Sequence, residues 1–240
     1  MARQVIELGG RFDAISVVDG QSDDQTINAI EDIPDGPFRI DWIMLEHTAA
    51  DDDILRPISQ LQHLRGIGLS YTNVTDAGVR QLGQVQSLEN LLLYSTGVGD
   101  AGLETVVKLP RLEELNVSVT EITNATLAGL ADCRSLEILN MKDTAITGEG
   151  LDHLADLPRL NDMDLRECSI GDADMLRLLK LEKLRALYLN KTVVTEKGLS
   201  LLAGLPELRY LQVWGAEITD SAAARLRQLM PNCQIEREVD

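Results

Sequence analysis

Leu64-Arg65-Gly66-Ile67-Gly68-Leu69-Ser70-Tyr71-Thr72-Asn73-Val74-Thr75-Asp76-Ala77-Gly78-Val79-Arg80-Gln81-Leu82-Gly83-Gln84-Val85-Gln86-Ser87 is a unit of 24 residues, and the chain goes on repeating it. The apolar positions return at Leu88, Leu91, Leu93, Val98, Leu103, Val106 and Leu109, with Thr96, Asp100 and Gly102 in step. Further copies begin at Leu112, Leu136, Leu160, Leu184 and Leu208 without insertion or deletion. A fixed period of this size marks a solenoid, in which each coil buries its apolar edge against its neighbours.

Within a unit, Leu-x-x-Leu-x-Leu opens with a short strand whose alternate residues point inward. The Thr–Asp step that follows starts a helical turn. Thr75, Thr147, Thr195 and Thr219 are placed to cap free backbone N–H groups. Asp76, Asp100, Asp172 and Asp220 suit the positive end of the helix. Leu151, Leu154 and Leu157 illustrate the buried helix face. The recurrent Gly78, Gly102, Gly150 and Gly198 let neighbouring coils approach. Thr48, Thr72, Thr96, Thr120, Thr144 and Thr192 form one column, with Cys168 and Ala216 as substitutes. A buried hydroxyl needs a partner, and the loop backbone of its own and the next coil is the expected one.

Seven regular repeats span 64–231. They follow a degenerate one at 40–63, in which Asp51-Asp52-Asp53 reads as helix N-cap and first-turn acidity, since the spacing of a calcium loop is absent. Residues 1–39 do not fit the period. Val5-Ile6-Glu7-Leu8, Gly9-Gly10 and Arg11–Val18 read as short strands around a turn, and Ile27, Ile30 and Ile33 as a short helical face. The segment is expected to cap the open core. Residues 232–240 supply a last strand, Gln234–Val239, whose Glu236, Arg237 and Glu238 blunt the sheet edge.

Aliphatic residues must fill the interior, because only 3% of residues are aromatic. A formal charge of −17 opposes binding to nucleic acid and to anionic membranes, and a basic protein or peptide is the partner it would suit. Cys133, Cys168 and Cys233 show no disulfide or zinc spacing; Cys133 and Cys168 fall on core columns. No apolar run reaches the length of a membrane span. With no signal-like start, a cytoplasmic location is expected, export remaining open if the N-terminus is truncated.

The repeats resemble the leucine-rich repeat family over roughly residues 40–231, in the bacterial 24-residue form, and are similar to those of F-box substrate-recognition subunits. Residues 1–39 do not read as an F-box, and the Thr column stands where internalin-like adhesins carry an Asn ladder. The resemblance implies an α/β solenoid, a curved arc with a parallel β-sheet on the concave side and short helices on the convex side. It implies protein binding more often than catalysis, with no cofactor.

The third, fifth, seventh and eighth positions of each repeat are expected to face solvent from the concave sheet. All four Tyr and both Trp fall there: Trp42, Tyr71 and Tyr94 toward one end, Tyr188, Tyr210 and Trp214 toward the other. Tyr and Trp are common interface anchors. Asp162, Asp164, Arg166 and Glu167 lie between them as a charged register. These ten residues are the candidate binding site of a non-enzymatic scaffold. The alternatives are an assembly component docking through its convex face or sheet edge, and a cation-dependent site near Asp162 and Asp164. No His, Ser or Cys arrangement suggests nucleophilic catalysis.

Overall fold

The computed structural model describes residues 1–18, 21–215 and 218–237, with side chains left aside at 16–18 and 21–23. Ala216 of the Thr column, Glu238 and Val239 lie outside the described residues. Two compact units divide the chain, Met1–Leu115 and Asn116–Asp240.

The first unit runs α1 (Ala2–Glu7), β1 (Arg11–Val18), β2 (Gln21–Ile27), β3 (Phe38–Met44), α2 (Asp52–Ile58), β4 (Gly66–Gly68), α3 (Asp76–Val79), β5 (Asn90–Leu92) and α4 (Asp100–Leu103), with β6 (Glu114–Asn116) at the division. Its strands lie in the order β2-β1-β3-β4-β5. From β3 onward the pairing is parallel and in step with the period, as in Ile43↔Ile67↔Leu91.

The start of the chain differs from expectation. Val5–Glu7 is helical, because Gly9 (φ 84°) and Gly10 form a helix-ending motif rather than a strand turn. The Gly9 N–H donates to the Ile6 carbonyl and the Gly10 N–H to that of Val5. Ile27 is no helical residue either. It pairs with Phe12 at the end of an antiparallel hairpin and is buried, so pairing with β1 overrides the poor strand propensity of Gln21–Thr26. Of the expected helical face, Ile30–Asp32 forms a 3-10 turn.

The second unit contains α5 (Asn124–Leu130), β7 (Ile138–Asn140), α6 (Gly148–Leu151), β8 (Asp162–Asp164), α7 (Met175–Leu178), β9 (Ala186–Tyr188), α8 (Glu196–Leu201), β10 (Tyr210–Gln212), α9 (Asp220–Leu229) and β11 (Gln234–Glu236). The strands lie in the order β7-β8-β9-β10-β11, parallel and again in register, as in Met163↔Leu187↔Leu211↔Ile235. The final strand is shorter than expected. Glu236 and Arg237 are taken up by the last coil, Glu236 by Tyr210 and Gln212, Arg237 by Asp220 and the Ile218 carbonyl.

The leucine columns are the core: Leu64, Ile67, Leu69 and Val74 are fully buried, as are Leu184, Leu187 and Leu189. The helical stretches are short, and several pass into 3-10 turns; Gly148–Leu151 continues as Asp152–Leu154. Side chains three apart eclipse in a 3-10 turn, which explains why Leu151, Leu154 and Leu157 share one buried face.

Carboxylates stitch coil to coil. Asp172 accepts from the Thr195 backbone N–H and hydroxyl, both at 2.7 Å, while that hydroxyl accepts from the Lys197 N–H and caps α8. Asp52 and Thr75 repeat the arrangement at 2.8 and 2.7 Å. Thr123 and Thr219 also cap. Thr147, expected to do so, does not: its hydroxyl accepts from the Asn124 amide, which replaces the usual acid.

The recurrent glycines make room for these acids. A Cβ on Gly102 would stand 2.6 Å from Asp76 Oδ1 and 2.9 Å from the Asp76 Cα. Gly102→Ala therefore forces the coils apart and costs about 1–3 kcal/mol, against at most about 1 kcal/mol gained in helix propensity. On Gly68 the added atom meets the mobile end of Glu46, which swings into solvent. Gly68→Ala should change stability by less than about 0.5 kcal/mol. Chemical denaturation of the two variants checks the contrast.

Candidate functional site

The strand face away from the helices is shaped by a turn that recurs at the seventh and eighth positions. Residues at the eighth position have left-handed backbones: His47, Tyr71, Ser95, Val119, Asp143, Glu167 and Lys191, with φ from 51° to 61°, and Gly215. The strain is largest for β-branched Val119. The backbone turns back after the sixth residue, whose carbonyl accepts from the N–H three residues on, as Leu45 does from Thr48. The Thr hydroxyl donates to that same carbonyl: Thr72 to Leu69 at 2.5 Å, Thr120 to Val117 at 2.5 Å, Thr192 to Leu189 at 2.7 Å. The column thus locks its own coil's turn and offsets the cost of a positive φ. Cys168, lacking the hydroxyl, points its thiol at the Met141 carbonyl of the preceding coil, 3.1 Å away.

In the first unit the turn lines rings into a row. His47 stacks on Tyr71 at 4.3 Å and 17°, and Tyr71 meets Tyr94 at 5.0 Å. Tyr71 is 47% exposed; Trp42 and Tyr94 are half-buried. The Trp42 ring lies across Gly66 and the Glu46 carboxylate across Gly68, so these glycines, expected to open to solvent, are buried under side chains of the preceding coil.

In the second unit Tyr188 and Tyr210 meet at 5.4 Å, with the Arg166 guanidinium 5.6 Å over the Tyr188 ring. Trp214 is 45% exposed, and its backbone N–H donates to Asn190 Oδ1 at 2.8 Å. The Tyr210 hydroxyl donates to Glu236 at 2.6 Å; burial and that carboxylate push its pKa up to about 12.

The charged register differs from expectation. Asp164 is buried, with Arg166 Nε at 2.8 Å from Oδ1, Nη2 at 2.5 Å from Oδ2 and the Arg166 backbone N–H at 3.0 Å. It orients Arg166 and does not offer itself to a partner. Glu167 is bridged by Lys142 and Lys191 at 3.3 and 3.4 Å, and the Lys142 hydrogen bond holds its carboxyl below the usual range. Asp162 stays half-buried on β8. Asn190 and Gln212, assigned to solvent by the period, are buried and bonded to each other at 2.7 Å. The column position did not reveal that network, because it forms between side chains one coil apart.

Among the described residues no group of three His, Cys, Asp or Glu could hold a metal ion, and no helix is long and apolar enough to cross a membrane. Cys133, Cys168 and Cys233 are buried thiols; burial raises all three, Cys233 to about 11. A thiol so raised is a poor nucleophile.

A family described as "Leucine Rich repeat" matches residues 132–155. No curated protein matches the chain. Among solved structures it is similar to an internalin C2 from Listeria monocytogenes str. 4b F2365, at 21% identity and a TM-score of 0.49, over 78% of this chain and 84% of that one. The matched stretch is a single period of the 24-residue pattern carried from Leu64 onward, so the leucine-rich-repeat pattern recurs along the chain.

Proposed function

We propose that the chain is a non-enzymatic scaffold that binds a protein or peptide on the open faces of its strands. The observation that carries this reading is the placement of all six Tyr and Trp rings on those faces, none of them buried, in a protein whose core is aliphatic. Stacked rings lose little entropy on binding and bring large contact area. Arg166, held by Asp164 over Tyr188, adds an oriented donor set of the kind enriched at interfaces.

The second reading, docking through the helix side, draws on Leu176 and Leu229, which are 57% and 53% exposed. Capture from the source lysate by the native chain and by Tyr94→Ala/Trp214→Ala separates the two. Truncated anchors cost about 2 kcal/mol each, so the double variant should lose its partner at an unchanged melting temperature. Undiminished capture would support the helix side.

A further inference from the structure

We infer that the open face of Met1–Leu115 takes the cationic side chains of an extended basic peptide. This rests on the binding role proposed above and adds the chemistry of what is bound. The unit holds nineteen Asp and Glu against eight Lys and Arg. On its open face the carboxylates of Glu46 and Glu114 have no hydrogen bond or ion pair among the described residues. Glu114 is half-buried, and burial alone pushes its carboxyl up. The cation contributed there by the flanking hairpin is Arg11, whose Nε lies 3.0 Å from Met44 Sδ.

Aromatic rings share this face with Glu46. Tyr71 is the exposed middle of the row, and Trp42 of β3 and Glu46 just beyond it reach over Gly66 and Gly68, so ring and carboxylate lie over alternate residues of β4. A guanidinium laid on such a ring gains from its π face while its N–H groups reach a carboxylate. Glu46 and Glu114 would then recover the counter-charge that folding leaves them without. The face of the second unit is unlike this, since Lys142 and Lys191 pair with Glu167 and Arg166 pairs with Asp164.

The test is calorimetric titration of the full chain with a short peptide of alternating Arg and Ser and with its Glu–Ser counterpart. The Arg–Ser peptide should bind and the Glu–Ser peptide should not. Glu46→Gln and Tyr71→Ala should each weaken binding about tenfold, with melting temperatures unchanged. Glu104→Gln, an exposed acid on the helix side of the same unit, should leave it as it was. Equal binding of both peptides, binding that survives both face substitutions, or equal weakening by Glu104→Gln overturns the inference. If the Arg–Ser peptide fails while a partner is still captured through Tyr94 and Trp214, the charge assignment falls and the binding role stands.

Discussion

Leu187→Ala lowers the stability of the protein by about 2–5 kcal/mol. Leu187 is fully buried at the centre of β9, in register with Met163 on one side and Leu211 on the other. In a solenoid each coil touches only its neighbours, so a cavity there is bordered by two coils that cannot both collapse into it without breaking the ladder. Denaturant titration measures the loss. Hydrogen exchange should place it first in the amides of β8, β9 and β10. A loss below about 1 kcal/mol would mean that this column is not close-packed.

Asp172→Ala should cost about 2 kcal/mol at neutral pH, the scale of hydrogen bonds to a charged group. Burial tends to raise this carboxyl, but the Thr195 N–H and hydroxyl and the Gly198 N–H outweigh it and hold the pKa below 3.8. A depressed folded pKa stabilises the native state above the unfolded value, and that stabilisation is lost as pH falls through the folded one. The difference between native chain and variant should therefore be full near neutrality and shrink as pH drops below 3.8. A difference independent of pH would assign the effect to packing. The substitution also removes the acceptor of the Thr195 hydroxyl that caps α8.

Those two sites mark what the sequence reveals. Leu187 is legible because the period fixes which residue faces inward and which residues sit beside it in the next coils. Asp172 is half legible: its place at a helix start follows from the Thr–Asp step, but its reach to Thr195 belongs to the stacking of two coils. The same limit hid Asp164, which the alternation assigns to solvent and Arg166 covers. The left-handed eighth position was not readable, since His47, Tyr71, Val119 and Lys191 share no chemistry that favours positive φ. The Thr beside it is legible: of the two expected partners, the loop backbone of its own coil and of the next, its hydroxyl takes the carbonyl of its own turn. At the N-terminus, Gly9-Gly10 punctuates strand and helix alike, and the buried Val5 belongs to a helix end.

The most direct measurement is hydroxyl-radical footprinting of the chain with and without a captured partner, read at individual side chains. The account predicts that Tyr71, Tyr188 and Trp214 lose reactivity in the complex while Leu176 and Leu229 keep theirs. Protection of Leu176 and Leu229 with the rings unchanged would contradict it.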